Sequence, residues 1–205
     1  MSAVVLILAL LLQGTPVSRI VSVRTVELDV RLDPATRTLA GKASLELDSR
    51  RVLPIDTLAL VLPPPFADRA RVEDVWDETG PLAWTAKMES ETLLLRLTFA
   101  RPLAPLARRT VVIRFQLSLD ELDSTAVRLS QHEARLESSG WYPLPKDAAL
   151  ERFRRIRLGV RLPRTWHVEA TSRLKRVRTG LEFAEYEITA KNVAPHTLLF
   201  QAQPE

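Results

Sequence analysis

From Arg24 onward the chain alternates apolar and polar residues with a period of two. Val26, Leu28, Val30 and Leu32 interleave with Thr25, Glu27, Asp29 and Arg31, so an extended backbone puts one set on a core face and the other in water. Asp33-Pro34-Ala35-Thr36-Arg37 follows as turn chemistry. Proline presets its own φ, and the aspartate side chain bonds the backbone ahead of it. On the return, Leu39, Ala43, Leu45 and Leu47 share a face opposite Lys42, Ser44, Glu46 and Asp48. The pattern predicts a long hairpin whose register decides which face is buried.

Further alternating runs predict strands at Thr57–Leu62, Arg71–Trp76, Leu82–Met88, Thr92–Phe99, Thr110–Leu119, Val127–Leu136, Arg154–Leu162, His167–Arg173, Leu181–Thr189 and His196–Ala202. Breakers separate them: Pro63-Pro64-Pro65 lacks three successive amide donors and cannot sit inside a ladder, and Gly80-Pro81 and Arg101-Pro102 act likewise. No long helix is indicated. About a dozen strands with turn signals between them predict an all-β fold, an antiparallel β-sandwich or partly closed barrel forming a single domain.

Composition agrees with this reading. The 205 residues are 46% hydrophobic and 26% charged, enough apolar surface to offset the ordering entropy that leaves weakly hydrophobic chains unfolded. There is no cysteine, which excludes disulfides, thiolate metal sites and cysteine nucleophiles. Fourteen prolines against six glycines disfavour long helices and glycine-rich phosphate loops.

The net charge of +4 is unevenly placed. Residues 1–99 carry 11 Lys and Arg against 13 Asp and Glu, and residues 100–205 carry 18 against 12. The excess is concentrated between Arg152 and Arg178. In Ile156-Arg157-Leu158-Gly159-Val160-Arg161-Leu162 the arginines alternate with apolar residues, as on the solvent side of a half-buried strand. An anion-binding surface is the alternative. Aromatic residues do not interleave with the basic stretch as a base-stacking platform requires, so no nucleic acid is expected as a partner.

Ala3–Leu12 is an unbroken apolar run of ten residues followed by Gln13-Gly14-Thr15-Pro16. A bilayer span needs about 20 apolar residues, whereas this length suits the apolar segment of a secretory signal. Residues 1–18 therefore read as a signal peptide, cleaved after Gly14 or Ser18, although no Lys or Arg precedes the run. Residues 19–205 form the domain. The expectation is an exported protein, periplasmic or extracellular, with no membrane span after signal removal.

Catalytic signatures are missing. There is no Gly-x-Ser-x-Gly elbow, no phosphate-binding loop and no Gly-x-Gly-x-x-Gly. His132-Glu133-Ala134-Arg135-Leu136 begins like the zinc motif H-E-x-x-H, but leucine stands where the second ligand belongs. That motif also needs a helix, on which residues four apart share a face. The only other histidines are His167 and His196. Glu121/Asp123 and Glu185/Glu187 sit two apart, the spacing of solubilising residues on an outward strand face. No catalytic residue, metal ligand or cofactor is expected. Trp141 and Tyr142, flanked by Ser138-Ser139-Gly140 and Pro143-Leu144-Pro145, are the candidate binding surface, an aromatic pair able to stack on a sugar or peptide. The alternative is that both pack against a sheet edge, with prolines fixing the entry angle. Trp76, Trp84 and Trp166 read as core.

The segment order resembles the N-terminal domain of zinc aminopeptidases of the aminopeptidase N type. The resemblance starts with the hairpin Val26–Leu47 and continues through Leu58-Ala-Leu-Val-Leu62, Arg71–Trp76, Leu93–Phe99 and Thr110–Phe115. It resumes at Ser139-Gly-Trp-Tyr-Pro143, Phe153–Pro163, Trp166-His-Val-Glu-Ala170 and Asn192–Ala202. It implies a saddle-shaped β-sandwich packed against a separate catalytic domain. The family's H-E-x-x-H and Gly-x-Met-x-Asn motifs have no counterpart among the 205 residues. Gln131-His132-Glu133-Ala134-Arg135 is superficially like the stretch that holds a substrate amine in many members, but Trp141-Tyr-Pro-Leu-Pro145 replaces the expected Cys-containing segment. The expectation is a non-catalytic domain that acts through protein or peptide binding, with a catalytic metallopeptidase chain or another protein as its partner. The alternatives are a non-catalytic piece of a split or truncated zinc metallopeptidase and a carbohydrate- or surface-binding module.

Overall fold

A computed structural model describes residues 21–120, 124–146 and 152–205. The signal-like residues 1–18 and the Glu121/Asp123 pair lie outside the described residues. Alternation produces strands throughout the rest, and no helix occurs among the described residues. None is therefore long and apolar enough to cross a membrane.

β1 (Val21–Asp33) and β2 (Thr38–Ser49) form the expected hairpin. Its turn is held by Asp33 Oδ1, which accepts from the amides of Ala35 and Thr36 at 3.1 and 3.3 Å. Next come β3 (Ile55–Leu62), β4 (Ala70–Asp77), the two-residue β5 (Gly80–Pro81), β6 (Ala83–Glu89), β7 (Thr92–Leu103) and β8 (Arg108–Ser118). The C-terminal part supplies β9 (Val127–Leu129), β10 (Ala134–Glu137), β11 (Leu144–Pro145), β12 (Phe153–Pro163), β13 (Trp166–Ala170), β14 (Arg173–Thr179), β15 (Phe183–Val193) and β16 (Leu198–Pro204).

These strands build three sheets. The largest has the order β14-β15-β12-β1-β2-β8-β4-β5, and two four-stranded sheets run β13-β16-β10-β9 and β11-β3-β7-β6. The buried faces of all three contribute to one apolar cluster, with Leu28, Leu45, Leu60, Leu95, Ile113, Leu136, Leu158 and Phe200 all at 0% exposure. The all-β class expected from the sequence is what forms, with sixteen strands in three sheets among the described residues.

Two features depart from the expectation of about a dozen strands paired antiparallel throughout. β1 lies parallel to β12, in register from Thr25↔Arg155 to Arg31↔Arg161. Side-chain alternation is identical in parallel and antiparallel strands, so periodicity carries no signal of direction. The predicted strand Val127–Leu136 is instead β9 and β10, split by a turn in which Ser130 Oγ accepts from the amides of His132 and Glu133 at 3.1 and 3.0 Å. Similarly, His167–Arg173 ends early at Ala170, and β14 follows as a strand of its own.

The parallel seam buries Val26, Leu28 and Val30 beside Ile156, Leu158 and Val160, all at 5% exposure or less. Shortening Leu158 to alanine leaves a cavity at the junction of the strands contributed by distant parts of the chain. Leu158→Ala is expected to lower unfolding free energy by about 2–5 kcal/mol, measured by urea denaturation.

Candidate binding surface

Glu137 to Tyr142 lead from the end of β10 toward β11, and the local chemistry pins this segment inward. Trp141 and Tyr142 are 0% and 1% exposed. Each ring has one polar group, and each finds a backbone carbonyl. Trp141 Nε1 donates to the Glu137 carbonyl at 2.8 Å, and Tyr142 Oη donates to the Ser138 carbonyl at 2.6 Å. The two rings meet edge to face with centroids 5.0 Å apart, and Trp141 also packs on Phe115 at 6.3 Å. The exposed aromatic stacking surface considered from the sequence is therefore not formed. Burial of the rings and pairing of their polar tips make them core, as the sheet-edge alternative requires.

The two serines of this segment are matched in the same way. Ser138 Oγ donates to the Ala194 carbonyl at 2.9 Å and accepts from Thr197 N at 3.0 Å, while Ser139 Oγ accepts from His196 N at 3.1 Å. Gly140 has φ +95°, and a Cβ there would stand 3.3 Å from both Ala126 Cβ and His196 Cε1. Glu137, buried at 5% exposure, lies with Oε1 at 3.4 Å from Arg135 Nη2 and Oε2 at 3.6 Å from His196 Nδ1.

The three histidines occupy different places. His132 lies in the β9–β10 turn, His167 on β13 near Glu169 at 3.8 Å, and His196 before β16. The turn around His132 lacks the helix that a zinc motif needs. Among the described residues no three His, Cys, Asp or Glu side chains are grouped to hold a metal ion. Of the remaining tryptophans, Trp166 is buried at 6% and Trp84 packs partly buried against the core. Trp76 departs from expectation: it is half-buried on the solvent side of β4, under the Arg114 guanidinium at 5.5 Å.

The outer face of the eight-stranded sheet carries the ordered charge. Arg157 on β12 meets Glu187 on β15 at 2.9 Å, and Asp29 and Glu27 on β1 at 3.2 and 3.7 Å. Burial disfavours its charge, but the hydrogen bond to Glu187 and the fields of Asp29, Glu187 and Glu27 outweigh that effect. Its pKa therefore lies above the ordinary arginine value. The guanidinium stays charged at every pH below that ordinary value. Four residues along the strand, Arg161 lies over the Phe183 ring at 4.6 Å, and Arg31 reaches the same ring at 5.0 Å. Between Arg157 and Arg161, Gly159 leaves room for Asp29, whose Oδ1 would sit 2.5 Å from a Cβ at that position. A shallow groove of about 380 Å³ crosses the sheet here, with Arg157, Arg161, Glu185 and Val177 along it. The solvated-face reading of the alternating arginines thus holds for β12. The basic residues of β14, which the sequence did not mark as a separate strand, stand apart from this network.

No protein-family profile matches the sequence, and no curated protein matches it. Solved structures do match. An M1 zinc metallopeptidase from Deinococcus radiodurans superposes with a TM-score of 0.71 at 16% identity, over 90% of this chain and 42% of its own. The fold is that of the β domain of M1 zinc metallopeptidases. A mutant two-domain M1 zinc metallopeptidase bound to L-arginine matches this β domain with a TM-score of 0.70 at 15% identity, over 90% of the chain and 42% of the peptidase. Yeast LTA4 hydrolase in complex with bestatin gives 0.63 at 13% identity, over 94% of the chain and 31% of the hydrolase. The matched part is the non-catalytic part of these proteins, and the chain spans well under half of their length.

Burial pushes the Tyr142 phenol far above its ordinary value. In the unfolded chain it ionises from about pH 10, whereas in the fold it stays neutral. Stability is thus intact below that pH and falls as pH rises beyond it. Tyr142→Phe is expected to cost about 1 kcal/mol at neutral pH, through the lost bond to the Ser138 carbonyl. It should also flatten the alkaline loss, as read from urea midpoints at neutral pH and above about pH 10.

Proposed function

We propose that this β domain has no catalytic activity of its own and works through protein or peptide contacts, docked against the catalytic domain of a zinc metallopeptidase. The observation that carries this reading is the extent of the structural likeness, 90% of this chain against 42% of the Deinococcus radiodurans peptidase. The aminopeptidase-like segment order agrees with it, as does the lack of an H-E-x-x-H motif among the 205 residues. A domain of this kind gives a peptidase shape and restricts access, while the metal chemistry resides in the partner.

Mixing the chain with an M1 catalytic domain stripped of its own β domain is expected to yield a one-to-one complex by size-exclusion chromatography with light scattering. Two separate peaks would remove the docking reading. Supplied with zinc, the purified chain alone is expected to leave aminoacyl anilides intact. Chelator-sensitive hydrolysis would overturn the non-catalytic assignment.

We also place the domain outside the cytoplasm, on the strength of the apolar run Ala3–Leu12. Mass spectrometry of the mature protein is expected to find a new N-terminus at Thr15 or Arg19. An intact Met1 in the cytosolic fraction would contradict export.

A further inference from the structure

β14 ends the eight-stranded sheet. β15 pairs with one of its edges, and no described strand pairs with the other. All seven of its residues are exposed, so an unpaired row of backbone N–H and C=O groups is open to a further strand. Its sequence, Arg-Leu-Lys-Arg-Val-Arg-Thr, holds four cations and no anion. Arg176 lies over the Tyr186 ring at 5.5 Å. Among the described residues, Arg173, Lys175 and Arg178 have neither an ion-pair partner nor a side-chain hydrogen bond. Lys175 stands in register with Glu187 and Arg178 with Glu185, but Glu187 is already engaged by Arg157 at 2.9 Å.

The pairing irregularity between Arg176 and Arg178 organises these charges. Strict alternation would put Arg178 on the opposite side from Lys175. The extra residue, Val177, instead carries Arg178 into register with Glu185, on the outward face shared by Arg173 and Lys175. Three cations without partners therefore line one face of a free sheet edge, and Val177 adds apolar area at 55% exposure.

Charge on an edge strand guards against pairing with another copy of the same strand, and two β14 strands side by side would indeed set four cations against four. The same row attracts a strand of opposite sign, because opposite charges directly across a strand pair are favourable and like charges are not. We propose that β14 is a docking edge for an extended acidic segment of a partner protein. That segment adds to the sheet as a strand, with its carboxylates facing Arg173, Lys175 and Arg178. Strand alternation defines what is recognised: Asp or Glu at every second position, with small or β-branched residues between them. The proposal rests on this edge and is independent of the metallopeptidase reading.

The test titrates the full chain into a fluorescein-labelled peptide, acetyl-Glu-Val-Glu-Thr-Glu-Val-Glu-amide, and follows anisotropy. Saturable binding is expected. It should weaken at least tenfold in the triple variant Arg173→Glu, Lys175→Glu, Arg178→Glu, with thermal melting showing that the variant remains folded. Wild-type protein should also lose at least tenfold in affinity for a peptide N-methylated at alternate amides, which keeps every carboxylate but cannot pair along one edge. Absence of saturable binding would overturn the proposal, as would equal affinity for the methylated peptide, the mark of a charged patch rather than a strand edge. Tighter, variant-sensitive binding of phosphatidylserine vesicles or single-stranded DNA than of the peptide would reassign the edge to a membrane or nucleic acid and likewise reject it.

Discussion

The sheet depends on the parallel seam between β1 and β12. Seven residue pairs in register, Thr25↔Arg155 to Arg31↔Arg161, join the N-terminal hairpin to the C-terminal strands. The seam is specified from both sides. Inward, Leu28 and Leu158 are paired and fully buried, and a slip of one residue would turn the apolar row into solvent. Outward, Arg157 reaches Glu27, Asp29 and Glu187 across three neighbouring strands. The Asp29 carboxylate has room only because Gly159 lacks a side chain. An isolated ion pair on an open surface adds little to stability. A half-buried guanidinium shared by three carboxylates is better placed to define one register among several apolar alternatives.

A second constraint governs the connection through Glu137–Tyr142. A chain passing through the interior must satisfy its backbone groups and polar side chains. Here Trp141 and Tyr142 bond back to carbonyls four residues behind them, while Ser138 and Ser139 bind the approach to β16. The most conspicuous aromatic cluster of the sequence therefore serves to hold two parts of the chain together.

Which features were legible beforehand follows from what alternation can encode. β1, β2, β7, β8, β12 and β15 each have one buried and one wet face, and period two found them. β14 is exposed on all seven residues, so Arg-Leu-Lys-Arg-Val-Arg-Thr has no face pattern to read and looked like a basic stretch adjoining its neighbours. β5 and β11 have two residues each, too few for any period. Strand direction left no trace, because a parallel partner asks for the same alternation as an antiparallel one. The Trp141–Tyr142 pair was ambiguous for a chemical reason: an aromatic body with a polar tip suits a wet binding surface and a satisfied core equally well. Only the positions of the Glu137 and Ser138 carbonyls decide between them. Trp76 misled for a related reason, since a guanidinium lid can shelter an indole on the solvent side of a strand.

The seam also orders events in time. The Arg157–Asp29 contact spans 128 positions of sequence, so the free edge of β1 waits for its parallel neighbour while the intervening strands are made. Local hairpins such as β1–β2 and β6–β7 close early because little chain entropy opposes them, whereas the parallel pair β1–β12 closes late. During that interval a row of apolar side chains on the largest sheet lacks its neighbour, leaving the half-made chain most adhesive at what becomes its most protected place.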